Sequence, residues 1–134
     1  MIIITAIKEQ LKSQNISQRK LCCDINIEYS AFNTFINAKK GIRYDRLQRI
    51  LDYLNITAVG PSSLPGPSLQ KSVWNEIRLN GSNIAELSRK AGKSYAAIWN
   101  FVNGKGGMSI EDMEAILSLL GISLKYGNKE DRQN

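Results

Sequence analysis

Apolar residues along the chain fall into short stripes of helical period. Ile3, Ile7 and Leu11 recur one turn apart, as do Leu69, Val73 and Ile77, a spacing that gives each segment a single apolar face. Denser stripes follow. Leu47, Ile50, Leu51 and Leu54, and again Met113, Ile116, Leu117 and Leu120, sit at i, i+3, i+4 and i+7, where four side chains share one core-facing strip. Between each pair of stripes there is room for two shorter helices, so the pattern predicts four helices followed by four more. The later set is marked by its caps. Asn83 precedes a helix with Glu86 at its third position, Ser109 does the same with Asp112, Gly92 ends one helix, and Ser94 opens the next, which runs to about Val102. The earlier set has Asn26 in place of that glycine, a residue that tolerates the left-handed conformation, and its third helix is expected to begin at Glu28.

The likeness of the two sets is a duplication. Displaced by 66 positions, the chain matches itself without a gap at Leu21 and Leu87, Tyr29 and Tyr95, Ala31 and Ala97, Phe35 and Phe101, Asn37 and Asn103, and Lys39 and Lys105. The register continues through Gly41 and Gly107, Ile50 and Ile116, Leu51 and Leu117, Leu54 and Leu120, and Ile56 and Ile122. Residues 57–68 hold all 3 prolines of the chain and are expected to form a linker. Residues 1–56 and 69–126 are then the two domains, and residues 127–134, which lack an apolar side chain, a frayed tail. Within the second domain, residues 121–126 alternate apolar and polar side chains, which predicts a short strand that could pair between chains.

Charge narrows the partner class. The 134 residues carry 18 basic and 12 acidic side chains, a net charge of +6, which favours an anionic partner such as nucleic acid. Residues 1–60 carry nine of the basic and five of the acidic groups, so the excess is concentrated there. Lys8, Glu9 and Lys12 follow the apolar start too closely for a signal-peptide core, and no stretch approaches membrane-span length. Cys22 and Cys23 are neighbours on a predicted helix and point apart, which argues against a disulfide and fits a reducing cytoplasm. Catalysis is not expected. The chain has no histidine, no metal-ligand cluster and no phosphate-binding glycine loop after a strand, so neither metal nor cofactor is implied. Glu111, Asp112 and Glu114 read as the acidic first turn of a capped helix.

The segment from Ile84 to Lys105, closed by the apolar helix from Met108 to Leu120, resembles the phage-repressor and Cro class of helix-turn-helix domains, and Gln18 to Lys40 offers the same parts in the first copy. The resemblance implies an all-α fold of two small lambda-repressor-like helix-turn-helix bundles joined by the Pro-rich linker. Leu21 and Leu87 would meet Phe32 with Phe35, and Ile98 with Phe101, across the turn, with small Cys22 and Ser88 where the helices cross. The chain departs from the family pattern at Ile36 and Val102, where an acidic residue is common, and at Ala38, where the second copy keeps Gly104.

In such domains the third helix enters the major groove of double-stranded DNA. With Phe32, Phe35 and Ile36 turned inward, the resemblance assigns base contact to Tyr29, Ser30, Asn33 and Thr34, and to Tyr95, Ala96, Trp99 and Asn100 in the second copy. Asn100 stands out because its amide can pair twice with adenine. Phosphate contact falls to Gln18, Asn37, Lys39, Lys40 and Arg43, and to Lys93, Ser94, Asn103 and Lys105. A flexible linker of about twelve residues spans near 20 Å, or toward 35 Å if its prolines extend it, so two heads could reach successive major grooves and read an asymmetric target. The implied function is a sequence-specific transcriptional regulator, a repressor. Two alternatives stand beside it: a protein-interaction module of antitoxin type, and a DNA-binding accessory of recombination. Trp99 and residues 121–126 are the candidate contacts of a homodimer.

Overall fold

The predicted stripes are the buried faces of helices in the computed structural model, which describes residues 2–61 and 68–126. Most of the expected linker's prolines, and the expected tail, lie outside the described residues. The first half comprises α1 (Ile2–Ser13), α2 (Gln18–Ile25), α3 (Tyr29–Ile36), β1 (Ile42–Arg43), α4 (Tyr44–Tyr53) and β2 (Ile56–Val59). The second repeats that order as α5 (Leu69–Leu79), α6 (Ile84–Ala91), α7 (Tyr95–Val102), β3 (Gly107–Met108), α8 (Ile110–Leu120) and β4 (Ser123–Tyr126). Ile3, Ile7 and Leu11 of α1 are buried, as are Leu69, Val73 and Ile77 of α5 and the four-residue stripes of α4 and α8 with the leucines that end them.

Helix boundaries follow the capping chemistry. Asn83 Oδ1 accepts from the Glu86 amide at 2.9 Å, Ser94 Oγ from Ala97 at 3.1 Å and Ser109 Oγ from Asp112 at 3.2 Å. Ser17 caps α2 in the same way, accepting from Lys20 at 3.0 Å. Glu28 is the residue before α3 and makes no side-chain cap bond, so that helix starts one residue later than expected. At the opposite ends the two halves solve one problem with different residues. Asn15, Asn26, Ala38 and Asn55 have positive φ, and 66 positions on stand Gly81, Gly92, Gly104 and Gly121, also at positive φ. Asparagine accepts this conformation at low cost, but Ala38, at φ 61°, has no such excuse.

The expectation of an all-α chain needs correcting: the fold is mostly helical, with two small antiparallel sheets. Each sheet pairs one strand from each half, β1 with β3 and β2 with β4. The linker expected over residues 57–68 therefore begins too early, because Thr57, Ala58 and Val59 belong to β2 and are hydrogen-bonded opposite Lys125, Leu124 and Ser123. Ala58 is 5% exposed, and Gly60 is buried so closely against α5 that an added Cβ would lie 2.0 Å from Glu76 Oε2. The strand expected within residues 121–126 does form, as β4, but its partner is β2 of the same chain rather than a second molecule. A strand tethered within one polypeptide meets its partner at far higher effective concentration than a strand of another molecule.

The halves also share one hydrophobic core instead of two linked by a tether. Tyr44, from the first half, is 2% exposed and packs edge-on against Phe101 of the second, with ring centroids 4.9 Å apart. Burial, reinforced by the Asp112 carboxylate, pushes the Tyr44 hydroxyl well above the usual tyrosine range. The Tyr44 amide donates to the Gly106 carbonyl at 2.9 Å, and α1 packs on β4 while α5 packs on β2. These contacts hold the two halves directly against each other.

Ala38 and Gly104 make a matched test of backbone strain. An added Cβ at Gly104 meets nothing within 4 Å, so only the left-handed conformation penalises a side chain there. Ala38→Gly is expected to raise unfolding stability by about 0.5–1 kcal/mol and Gly104→Ala to lower it by about 1 kcal/mol. Urea midpoints at unchanged m-value are the measurement.

Candidate nucleic-acid interface

In both halves a helix, a turn around a left-handed residue and a second eight-residue helix form a unit fixed by apolar packing. Leu21 and Cys22 of α2 are buried with Phe32, Phe35 and Ile36 of α3, and the two phenylalanine rings meet edge to face at 6.4 Å. Leu87, Ser88, Ile98 and Phe101 are the buried equivalents of α6 and α7. Cys22 is thus a packing residue, and burial pushes its thiol up, whereas Cys23 is exposed; both are free thiols. With those side chains inward, the outer faces of α3 and α7 are defined by subtraction.

On α3, Ser30 is exposed and Asn33 and Thr34 are half-buried. Thr34 Oγ1 donates to the Ser30 carbonyl at 2.8 Å, one turn back on the same helix. Tyr29 is half-buried, and the Arg19 guanidinium lies over its ring, 4.3 Å from the centroid. The ring is therefore covered on one face, and the cation sits where the helix surface begins. Ser30 and Thr34 line an open groove of about 660 Å³ together with Lys40, Arg43 and Arg46 and with Met108 and Ser109 of the second half. Lys39 and Lys40 are exposed, and Arg43 is held 3.3 Å from Asp45. Asn37, expected on phosphate, is exposed and donates one amide hydrogen to the Asn33 carbonyl at 2.8 Å, at the end of α3. Gln18 is half-buried at the start of α2.

The second half presents different chemistry on the same scaffold. Tyr95 and Trp99 are 55% and 39% exposed, and Ala96 and Asn100 are exposed beside them. Lys105 sits 5.0 Å from the Trp99 ring centroid, and Asn103 donates to the Trp99 carbonyl at 2.8 Å, repeating the Asn37 bond. Ser94 is exposed and serves as the α7 cap. Lys93 is tied to Asp112 at 2.8 Å. Asp112 stands 66 positions after Arg46, so one half places a guanidinium where the other places a carboxylate.

Sequence reasoning missed Arg19 and Arg46. Both lie on helices flanking α3 and not on α3 or its loop. Comparing charges across the 66-residue register would have found Arg46, since position 112 reverses its sign. Among the described residues, no group of three or more His, Cys, Asp or Glu could hold a metal ion, and no helix is long and apolar enough to cross a membrane.

Residues 6–60 match the family model of the Cro/C1-type HTH DNA-binding domain. The matched segment runs from within α1 to the end of β2, taking in the whole α2–α3 unit and the strand first read as linker; residues 69–126 lie outside it. No curated protein and no solved structure matches the chain. The match supports DNA binding by the segment that carries the basic groove.

Each phosphate neutralised by a side chain releases counterions, and log affinity falls with log salt by about 0.9 per contact. Arg46→Ala is therefore expected to flatten the salt dependence of duplex binding by about 0.9 in slope. Asp112→Asn, which frees Lys93, should steepen it. Fluorescence anisotropy of a labelled duplex titrated at several salt concentrations reads both, and far-UV circular dichroism checks that the fold is intact.

Proposed function

We propose that the chain is a sequence-specific double-stranded DNA-binding regulator of transcription, a repressor, with two helix-turn-helix heads that present α3 and α7 to the major groove. The observation that carries this reading is the α3 groove: polar Ser30 and Thr34 edged by Lys40, Arg43 and Arg46, on a segment that matches a Cro/C1-type DNA-binding domain. Polar side chains on a rigid helix read base edges, and the flanking cations grip phosphate and set the register. The second head rests on the repeated element order and on the exposure of Asn100. Lys39 and Lys105 serve as phosphate contacts at equivalent places. The activity is binding rather than catalysis, and blocking access to a promoter needs nothing more.

A second reading takes α7 as a protein-binding surface, as in an antitoxin-like regulator. The exposed rings of Tyr95 and Trp99 favour it, because large aromatics anchor protein interfaces. Salt separates the two. Specific DNA affinity falls steeply as salt rises, and an apolar interface is indifferent to it.

Selection of duplexes from a random pool by the full chain is the direct experiment. Enrichment of a defined sequence is expected. Asn100→Ala should then relax preference at one base pair, at about 1–3 kcal/mol of discrimination, while Lys39→Ala weakens all sequences about equally. A pool that emerges unenriched would sink the regulator reading.

A further inference from the structure

Several contacts between the halves obey one exchange rule, in which each residue is replaced by the one 66 positions away. In the β1–β3 pair Ile42 lies opposite Met108, and in the β2–β4 pair Ala58 lies opposite Leu124. Both are pairs of equivalent residues. Antiparallel strands whose equivalent residues face each other are related by a two-fold axis passing between them, and a shift of register would move that centre off the equivalent pair.

Side chains follow the same rule. The Ile3 amide donates to Glu114 Oε1 at 2.8 Å, and the Leu69 amide, its equivalent, donates to Gln48 Oε1 at 2.9 Å. Gln48 and Glu114 are themselves equivalent. Helix α1 lies on β4 as α5 lies on β2. Gly41 and Gly107 are needed for one reason: a Cβ on Gly41 would lie 2.2 Å from the Met108 carbonyl oxygen, and one on Gly107 would lie 2.7 Å from that of Ile42. Reciprocity of this kind, in which i touches j and the equivalent of j touches the equivalent of i, is the signature of an isologous two-fold interface.

We propose that the chain is a pseudo-dimer within one polypeptide, with an internal two-fold axis passing between Ile42 and Met108 and between Ala58 and Leu124, and that its target is an inverted repeat of two unequal DNA half-sites occupied by a single molecule. The target half of the proposal rests on the DNA-binding reading above. Helices α3 and α7 precede β1 and β3, the strands astride the axis, so the axis relates the two reading surfaces. Two-fold symmetry in a helix-turn-helix protein is mirrored by inverted half-sites in its DNA. Heads on a flexible tether would accept a direct repeat as well, but heads locked by paired strands do not. The half-sites differ because Ser30, Thr34 and Arg46 on one side answer to Ala96, Asn100 and Asp112 on the other.

Two experiments test this. In the first, sequences selected by the full chain are aligned and the best one is bound at known stoichiometry by native mass spectrometry. Inverted, non-identical half-sites with one chain per duplex are expected, and reversing one half-site in place should weaken binding by roughly 100-fold as the second contact is lost. A direct repeat or a lone half-site of equal affinity overturns the proposal while leaving DNA binding intact, as does one chain on each half-site. A pool with no enriched sequence overturns the target half together with the reading beneath it. The second experiment needs no DNA. In a Cys22→Ser, Cys23→Ser background, Ala58→Cys with Leu124→Cys should oxidise to a bridge within one chain, seen as a monomer of altered mobility on non-reducing gels. A covalent dimer, or no bridge in a folded protein, overturns the internal axis.

Discussion

Everything else in this fold depends on the pairing of β2 with β4. Each is only four residues long, and a strand of that length leaves its backbone amides and carbonyls without partners unless another strand supplies them. The partner of each lies in the other half, so neither half completes its own hydrogen bonding. The side chains reinforce the dependence, because Ile56 and Ala58 are buried beneath helices drawn from both halves. About 55 residues on their own would bury a modest share of their surface and be correspondingly marginal. Joined through the strands, they bury one core. Rigidity follows: α3 and α7 are held by a shared scaffold, and the prolines after β2 no longer decide how far apart they sit.

Local features were legible in the sequence because their physics is local. Asn83, Ser94 and Ser109 cap the helices that their spacing predicts, and Asn26 takes the left-handed turn that Gly92 takes in the repeat. The helical stripes all became core. Strand pairing escaped because it depends on chain far away in sequence: Ile56–Val59 is a short apolar run just before Pro61, and nothing nearby distinguishes it from a loop. Residues 121–126 showed strand alternation, but alternation says nothing about which strand lies alongside. The signal that does exist is the match of Ile56 to Ile122 in the 66-residue register, which marks two like segments in one chain.

The candidate site divides in the same way. Inward Phe32, Phe35 and Ile36 settle which side of α3 faces out, and that subtraction needs only helix geometry. What it could not supply was the environment of the outer face. Arg19 reaches Tyr29 from α2, and Arg46 reaches the groove from α4, two arrivals set by tertiary packing. Asn37 and Asn103 carry a local constraint of the same kind. Their amides are already committed to carbonyls one turn back, a local capping bond that competes with any external partner.

The differences between the halves lie where packing sets no limit on the side chain. Positions that fill the core or sit astride the strand pairs are held: Leu21 and Leu87, Phe35 and Phe101, Gly41 and Gly107 are unchanged because each meets the same steric limit. Outer positions meet no such limit. In an assembly of two identical chains any change to one outer surface is imposed on the other. Two halves of one chain carry no such constraint, while the shared core preserves their geometry. Arg46 in one half answers to Asp112 in the other, and Thr34 to Asn100, all four outside the buried core. The half with Lys40, Arg43 and Arg46 lines the open basic groove, and in the other half Lys93 is neutralised by Asp112 at 2.8 Å. Unequal surfaces on an equal frame are what this packing permits.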